Sequence, residues 1–140
     1  MNDLQPQFVV ETAKKAFGEL AGKKIAVLGL AFKPDVDDVR ESPAVEVVHL
    51  LAKAGAVVKA FEPFKPAVAL PGVDTVPTLE LALENADAVL LLVNHSQFRQ
   101  LDPVVLKPLT SARVLLDTVN GWGGKDWAAQ GFTIYRLGVG

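Results

Sequence analysis

Polar and apolar residues follow one another along this chain in blocks of two different periods. Over 8–20, FVVETAKKAFGEL, residues Val9, Ala13, Ala16 and Leu20 recur at helical spacing while Glu11, Lys14, Lys15 and Glu19 fall elsewhere, which predicts an amphipathic helix ended by Gly22. KKIAVLGL follows: two lysines, then an unbroken run of β-branched and leucine residues. A strand without polar alternation is one buried on both faces, the habit of a parallel sheet. Similar runs recur at 56–61, 88–93 and 113–117, with a weaker one at 132–137, so five strands are expected. Helical patterns at 44–54, stopped by Gly55, at 79–85, and a shorter one at 103–109 lie between them. Strands alternating with helices predict an α/β fold, a doubly wound, mostly parallel sheet with flanking helices and right-handed crossovers, preceded by an N-terminal helix.

Composition narrows the choices. A chain of 140 residues that is 50% hydrophobic suits one compact domain. A net charge of −2 gives no cationic surplus for nucleic acid or an anionic membrane, so any bound anion must be gripped locally. The start, MNDLQPQF, lacks a secretory pattern, and the longest apolar stretch, 25–32, is far short of the ~20 residues a membrane span needs; a soluble protein is expected. The absence of cysteine removes disulfides, thiolate metal sites and thiol nucleophiles. With two histidines, one of them (His49) on the water-facing side of its helix, a zinc site would need distant carboxylates.

Ligands of open α/β sheets sit outside the carboxyl ends of the strands, which directs attention to 31–42, AFKPDVDDVRES. Connections of this kind usually take about 2–6 residues, and a longer one is often functional. Ser42 suits the N-cap of the next helix, Pro43 its first position and Glu46 its first turn. The free N–H groups there are candidates to receive a phosphate, with Lys33 and Arg40 adding charge. Alternatively, both cations only neutralise Asp35, Asp37, Asp38 and Glu41 in a solvated loop. A G-x-G-x-x-G turn is absent, because Leu30, Ala31, Phe32 and Lys33 follow Gly29, and an EF-hand register fails at Val39 and Arg40.

Other strand ends carry weaker signals. Glu62 either binds ribose hydroxyls or, the favoured reading, stops its strand before Pro63. Asn94, His95, Ser96 and Gln97 offer hydrogen-bonding groups for binding or capping, without the strained turn a serine nucleophile requires. In DTVNGWGG, Asp117 and Asn120 are expected to fix a glycine-rich turn, while Trp122 either stacks on a base or packs into the core.

GLAFKPDVDDVRESPA, residues 29–44, closely resembles the signature of the C-terminal domain of UDP-glucose/GDP-mannose dehydrogenases. The resemblance extends over the whole chain, through NDLQP, FEP, LVNHSQF, LLDTVNGW and YRLGVG, and the pairing of FEP with LVNHSQF is most like the UDP-N-acetyl-D-mannosamine dehydrogenase branch. It implies a Rossmann-like domain that covers a UDP-sugar in a three-part, NAD-dependent nucleotide-sugar 6-dehydrogenase. A separate N-terminal domain would hold the NAD, and a central helical domain would form a homodimer or larger homo-oligomer. On this reading residues 1–21 end the central region and 22–140 form the UDP-sugar-binding domain. The family's thiol, which holds the intermediate covalently during oxidation of the sugar alcohol to a carboxylate, belongs to the central domain, so this chain alone is expected to be inactive.

By the same resemblance Phe32 and Lys33 line the UDP site, and Arg40 faces the cleft where NAD or the diphosphate lies. Asn120 joins Phe32 and Lys33 as a candidate substrate-binding residue, and Arg40 is the candidate cofactor-binding one. Val119 departs from the arginine or lysine of many relatives, so that either Lys125 or Arg136 supplies the charge or affinity is lower. The family implies a cytoplasmic enzyme of polysaccharide precursor synthesis. Three alternatives stand beside this reading: a UDP-glucose or UDP-N-acetylglucosamine 6-dehydrogenase domain, a free-standing nucleotide-binding or regulatory module, and a receiver-like domain. The last is opposed by Asn94 where a phosphoacceptor aspartate would end the third strand.

Overall fold

The computed structural model describes residues 5–66 and 68–137; parts of the NDLQP and YRLGVG stretches lie outside them. Six strands, β1 (Lys24–Leu28), β2 (Val57–Phe61), β3 (Asp74–Thr75), β4 (Ala88–Leu91), β5 (Val114–Asp117) and β6 (Thr133–Arg136), form one sheet in the order β3-β2-β1-β4-β5-β6. Every pairing is parallel. The five expected strands are present, and β3 is additional: two polar residues at an edge carry no hydrophobic run by which sequence could reveal them. Residues 25–28 and all of β4 are buried, as unalternated runs require.

The helices are α1 (Pro6–Phe17), α2 (Pro43–Lys53), α3 (Leu79–Leu83), α4 (Ser96–Arg99) and α5 (Pro103–Leu106), the last continuing as a 3-10 turn over Lys107–Leu109. The first helix starts earlier and stops sooner than its pattern suggested. Pro6 supplies a pre-set φ at the start, and Gly18, at φ 84°, ends it four residues before Gly22. Leu20 is nevertheless buried. The third helix ends short of Asn85, which takes a positive φ of 59°.

Two apolar clusters flank the sheet. On one face α3, α4 and α5 pack with Trp122, Trp127 and Phe132 on Ala26, Leu28, Val89, Leu91 and Leu115. On the other, α2 covers Ile25, Val27 and Val58, and α1 adds Val9, Val10, Ala13 and Phe17 to the same cluster as Leu90 and Leu116. The first helix contacts both α2 and β5. It therefore covers the part of that face the crossovers leave bare, and burying each large apolar side chain there stabilises by roughly 2 kcal/mol. The stretch assigned from sequence to the central region thus packs in the same apolar cluster as α2 and the sheet.

Candidate functional site

The order of strands reverses at β1, whose neighbours are β2 and β4, and the crevice at such a reversal is where open α/β sheets place ligands. The chain leaves β1 through Gly29 at φ 99°, and a Cβ there would lie 2.6 Å from the Cβ of Val93 and 2.9 Å from its N. The loop that follows is thus laid directly against the exit of β4.

Glu62, at the end of β2, sets the course of that loop. Its side chain is fully buried. One carboxylate oxygen accepts the N–H groups of Leu30 and Ala31 at 2.8 and 2.9 Å, and the other accepts that of Phe64 at 2.9 Å. His95 Nε2 stands 2.8 Å from the first oxygen. The histidine tautomer follows from its other nitrogen, which lies 2.7 Å from the N–H of Asp35, a group that can only donate. Nδ1 therefore accepts, and Nε2 carries the proton that goes to Glu62. Burial pushes the Glu62 carboxyl up, but the hydrogen bonds from His95, Leu30 and Phe64 outweigh it and hold it below its ordinary value. Neither a ribose ligand nor a mere strand stop, Glu62 is the anion around which the first turn folds.

Further ties hold the remainder of the loop. Asp35, at φ 61°, accepts the N–H and hydroxyl of Ser96, which keep its carboxyl below the usual range. Arg99 bonds the Ser96 hydroxyl and the Asn94 carbonyl, both at 2.8 Å. Asp38 accepts from the backbone and guanidinium of Arg40, which lower its pKa to about 2. Phe32 N–H donates to the Asp38 carbonyl at 2.7 Å, closing the loop on itself.

The phosphate receptacle expected at the start of α2 is not formed. Pro43 has no N–H, Ala44 donates to the Ser42 hydroxyl, and Val45 and Glu46 donate to the Ser42 carbonyl. Ser42 also donates from its hydroxyl to the Ala31 carbonyl at 3.2 Å, so the cap that marked the helix start also satisfies its donors. Of the two loop cations, Arg40 pairs with Asp38, while Lys33 has no ion pair among the described residues and lies with Nζ 6.0 Å from the Phe32 ring centroid. The loop thus supplies a carboxylate partner for Arg40 and none for Lys33 among the described residues.

The turn after β5 is built on Asp117, which is buried and accepts the N–H groups of Val119, Gly121 and Trp122 at 2.9–3.1 Å. Thr118 donates to the Leu91 carbonyl, linking the turn to β4. Asn120 is exposed at φ 55°. Trp122 is wholly buried and donates its indole N–H to the Phe98 carbonyl at 2.8 Å, so it packs into the core and cannot stack on a base. Lys125 is also committed: its ammonium bonds the carbonyls of Arg99 and Leu101 and does not replace the charge missing at Val119. Arg136 is exposed, 3.4 Å from the Trp122 carbonyl.

At the surface of these loops Phe32 is 54% and Phe64 46% exposed, and Phe64 lies with its ring 4.9 Å from that of His95. Exposed aromatics, the unpaired Lys33 ammonium and the Asn120 amide can stack on a planar base and donate to anionic or carbonyl oxygens. Among the described residues no group of three or more metal-ligating side chains forms, and no helix is long and apolar enough to cross a membrane. Sequence singled out Phe32, Lys33, Arg40 and Asn120 but missed the binding of Glu62 to His95. The only signal for that contact was that both residues lie in the segments that follow the strands flanking β1.

Residues 26–123 match the model of the UDP-glucose/GDP-mannose dehydrogenase family, UDP binding domain. The UDP-N-acetyl-D-mannosamine dehydrogenase of Methanocaldococcus jannaschii is 35% identical over 100% of this chain and 32% of its own length. The UDP-glucose 6-dehydrogenase TuaD of Bacillus subtilis is 32% identical over 98% of the chain and 31% of its own length. Among solved structures, the NDP-N-acetyl-D-galactosaminuronic acid dehydrogenase of Methanosarcina mazei Go1 superposes with a TM-score of 0.79 at 30% identity, over 94% of this chain and 28% of that one. The chain thus spans about a third of the length of the curated relatives it matches.

Proposed function

The chain belongs to the UDP-glucose/GDP-mannose dehydrogenase family as its UDP binding domain, and from that premise we propose that its loop over 31–42 binds the nucleotide of a UDP-sugar. The observation that carries this reading is the contrast between Lys33 and its neighbours. In a loop where Asp35, Asp38 and Arg40 are all engaged, Lys33 and Phe32 are held outward and uncommitted. Phe32 stacks against the uracil, Lys33 donates to the nucleotide or sugar oxygens, and Asn120 donates its amide from the turn after β5.

The parent enzyme, on this proposal, oxidises the sugar's C6 alcohol to a carboxylate, with NAD as hydride acceptor and a thiol contributed from outside these residues. The residues present do not fit a dinucleotide in the first turn. Its N–H groups at Leu30 and Ala31 already bond Glu62, and the glycine spacing is missing. NAD therefore belongs to another part of the parent, with Arg40, whose side chain is 85% exposed, as the residue of this chain that reaches toward the shared cleft. This chain's share of the work is to bind and orient the nucleotide. A cytoplasmic homo-oligomer and a UDP-N-acetylmannosamine substrate complete the proposal; the direct Glu62 to His95 bond supports the latter, because it joins the two motifs that carry the resemblance to that branch.

Calorimetric titration with UDP, beside a Lys33→Ala variant and a GDP control, tests the site. Saturable UDP binding weakened about tenfold by the substitution, the scale of one charge-assisted hydrogen bond, is expected. Equal binding by the variant would remove Lys33 from the site.

A further inference from the structure

In dinucleotide-binding folds the N–H groups of the first turn point at a ligand's pyrophosphate. Here the same groups, of Leu30 and Ala31, point at a carboxylate from the chain itself. We propose that Glu62 and His95 are positioning residues for nucleotide binding: Glu62 is a built-in anion that folds the first turn, and His95 carries the constraint from it to Asp35, fixing the loop that presents Phe32 and Lys33. This rests on the nucleotide-binding reading of that loop.

The geometry forms an unbroken path. Glu62 fixes the backbone at Leu30 and Ala31, immediately before Phe32 and Lys33. Its hydrogen bond from Nε2 orients the imidazole, so that Nδ1 receives the N–H of Asp35, two residues after Lys33. Phe32 and Lys33 are thereby bracketed by two anchors that share one carboxylate. Phe64 and Phe98, with ring centroids 4.9 and 5.5 Å from the imidazole, prevent the ring from swinging away. Neither Glu62 nor His95 has any side-chain surface open to a ligand, so their effect on binding must pass through the loop.

The path sets two chemical requirements. At position 62 the group must accept several N–H donors at once, which a carboxylate does and an amide, carrying its own donors, does not. At position 95 it must donate on one side and accept on the other. Glutamine meets that second requirement and leucine, similar in bulk, does not.

The test compares Glu62→Ala, His95→Gln and His95→Leu with the unaltered chain by UDP titration and by hydrogen exchange at the Leu30, Ala31 and Asp35 amides. Glu62→Ala is expected to weaken UDP binding about tenfold and to unprotect Leu30 and Ala31. Added formate, which fits the vacated space as a free carboxylate, should reverse both effects while leaving the unaltered chain unchanged. His95→Gln should bind UDP within about threefold of the unaltered chain, and His95→Leu about tenfold more weakly. Formate failing to restore Glu62→Ala, together with equal binding by the two His95 variants, would overturn the proposal by reducing both residues to packing. If Glu62→Ala does not fold, the His95 pair decides alone. Should the unaltered chain bind no UDP while amide protection still follows the carboxylate and its rescue, the nucleotide reading fails and the bracing of the loop stands.

Discussion

The carboxylate of Asp35 receives both the backbone N–H and the hydroxyl of Ser96, at 2.9 and 2.7 Å. These bonds run from the loop after β1 to the start of α4, across the crevice that a doubly wound sheet leaves open. Ser96→Ala removes one of them and keeps the other. UDP affinity is expected to fall a few-fold, in line with the lost bond to a charged group, while the thermal midpoint falls only slightly. Titration calorimetry and a melting curve on the same sample check this; a large fall in the midpoint would mean that the tie supports the whole fold.

Gly29→Ala tests the close approach of the loop to β4. The new Cβ would lie 2.6 Å from that of Val93 in a backbone conformation with φ 99°, so both sterics and torsion oppose it. A loss of at least about 2 kcal/mol is expected in denaturant unfolding.

Trp122→Phe separates packing from ligand contact. Phenylalanine retains most of the buried ring but cannot donate to the Phe98 carbonyl. The Phe98 carbonyl keeps the Leu101 N–H at 3.1 Å, so the expected cost is only that of one hydrogen bond, about 1 kcal/mol of stability, with UDP affinity nearly unchanged. A selective loss of UDP binding at full stability would reinstate the indole as a ligand contact.

Acid should weaken the braced loop in a defined order. Glu62 lies below its ordinary 4.5, Asp35 below 3.8, and Asp38 falls from 3.8 to about 2. A carboxyl with a depressed folded-state pKa contributes all of its stability above the ordinary value and loses it as pH falls through the lowered one. The melting midpoint should therefore not fall on account of these groups until pH drops below 4.5, where the contribution of Glu62 starts to fade, and those of Asp35 and Asp38 follow below 3.8. Glu62→Gln should show a shallower acid fall, measured by melting curves across this range.

The frame of the fold was legible because burial on two faces leaves an unmistakable record. The runs at Ile25, Ala88 and Leu115 have no polar alternation, and the cap and proline at Ser42 and Pro43 mark one helix start to the residue. The two-residue β3 left no such record, and α4, one turn long, is too short for a periodicity to register. At the proposed site, Phe32 was put forward through a family signature and Lys33 also through its charge in the long loop, whereas the contact of Glu62 with His95 depends on a hydrogen bond between residues 33 apart in sequence. Spacing along a chain does not encode which donors converge on one carboxylate. The same limit explains Lys125 and Trp122, each suggested as a ligand contact and each consumed by carbonyls that only the folded chain brings near.

Four side chains of α1, Val9, Val10, Ala13 and Phe17, are locked into the same cluster as Leu90 and Leu116 of the sheet region. Helix and sheet must consequently turn as one body. Twelve residues of helix make a rod about 18 Å long, and such a rod, seated by four side chains spread along its length, cannot lift at either end without uncovering apolar surface of the sheet.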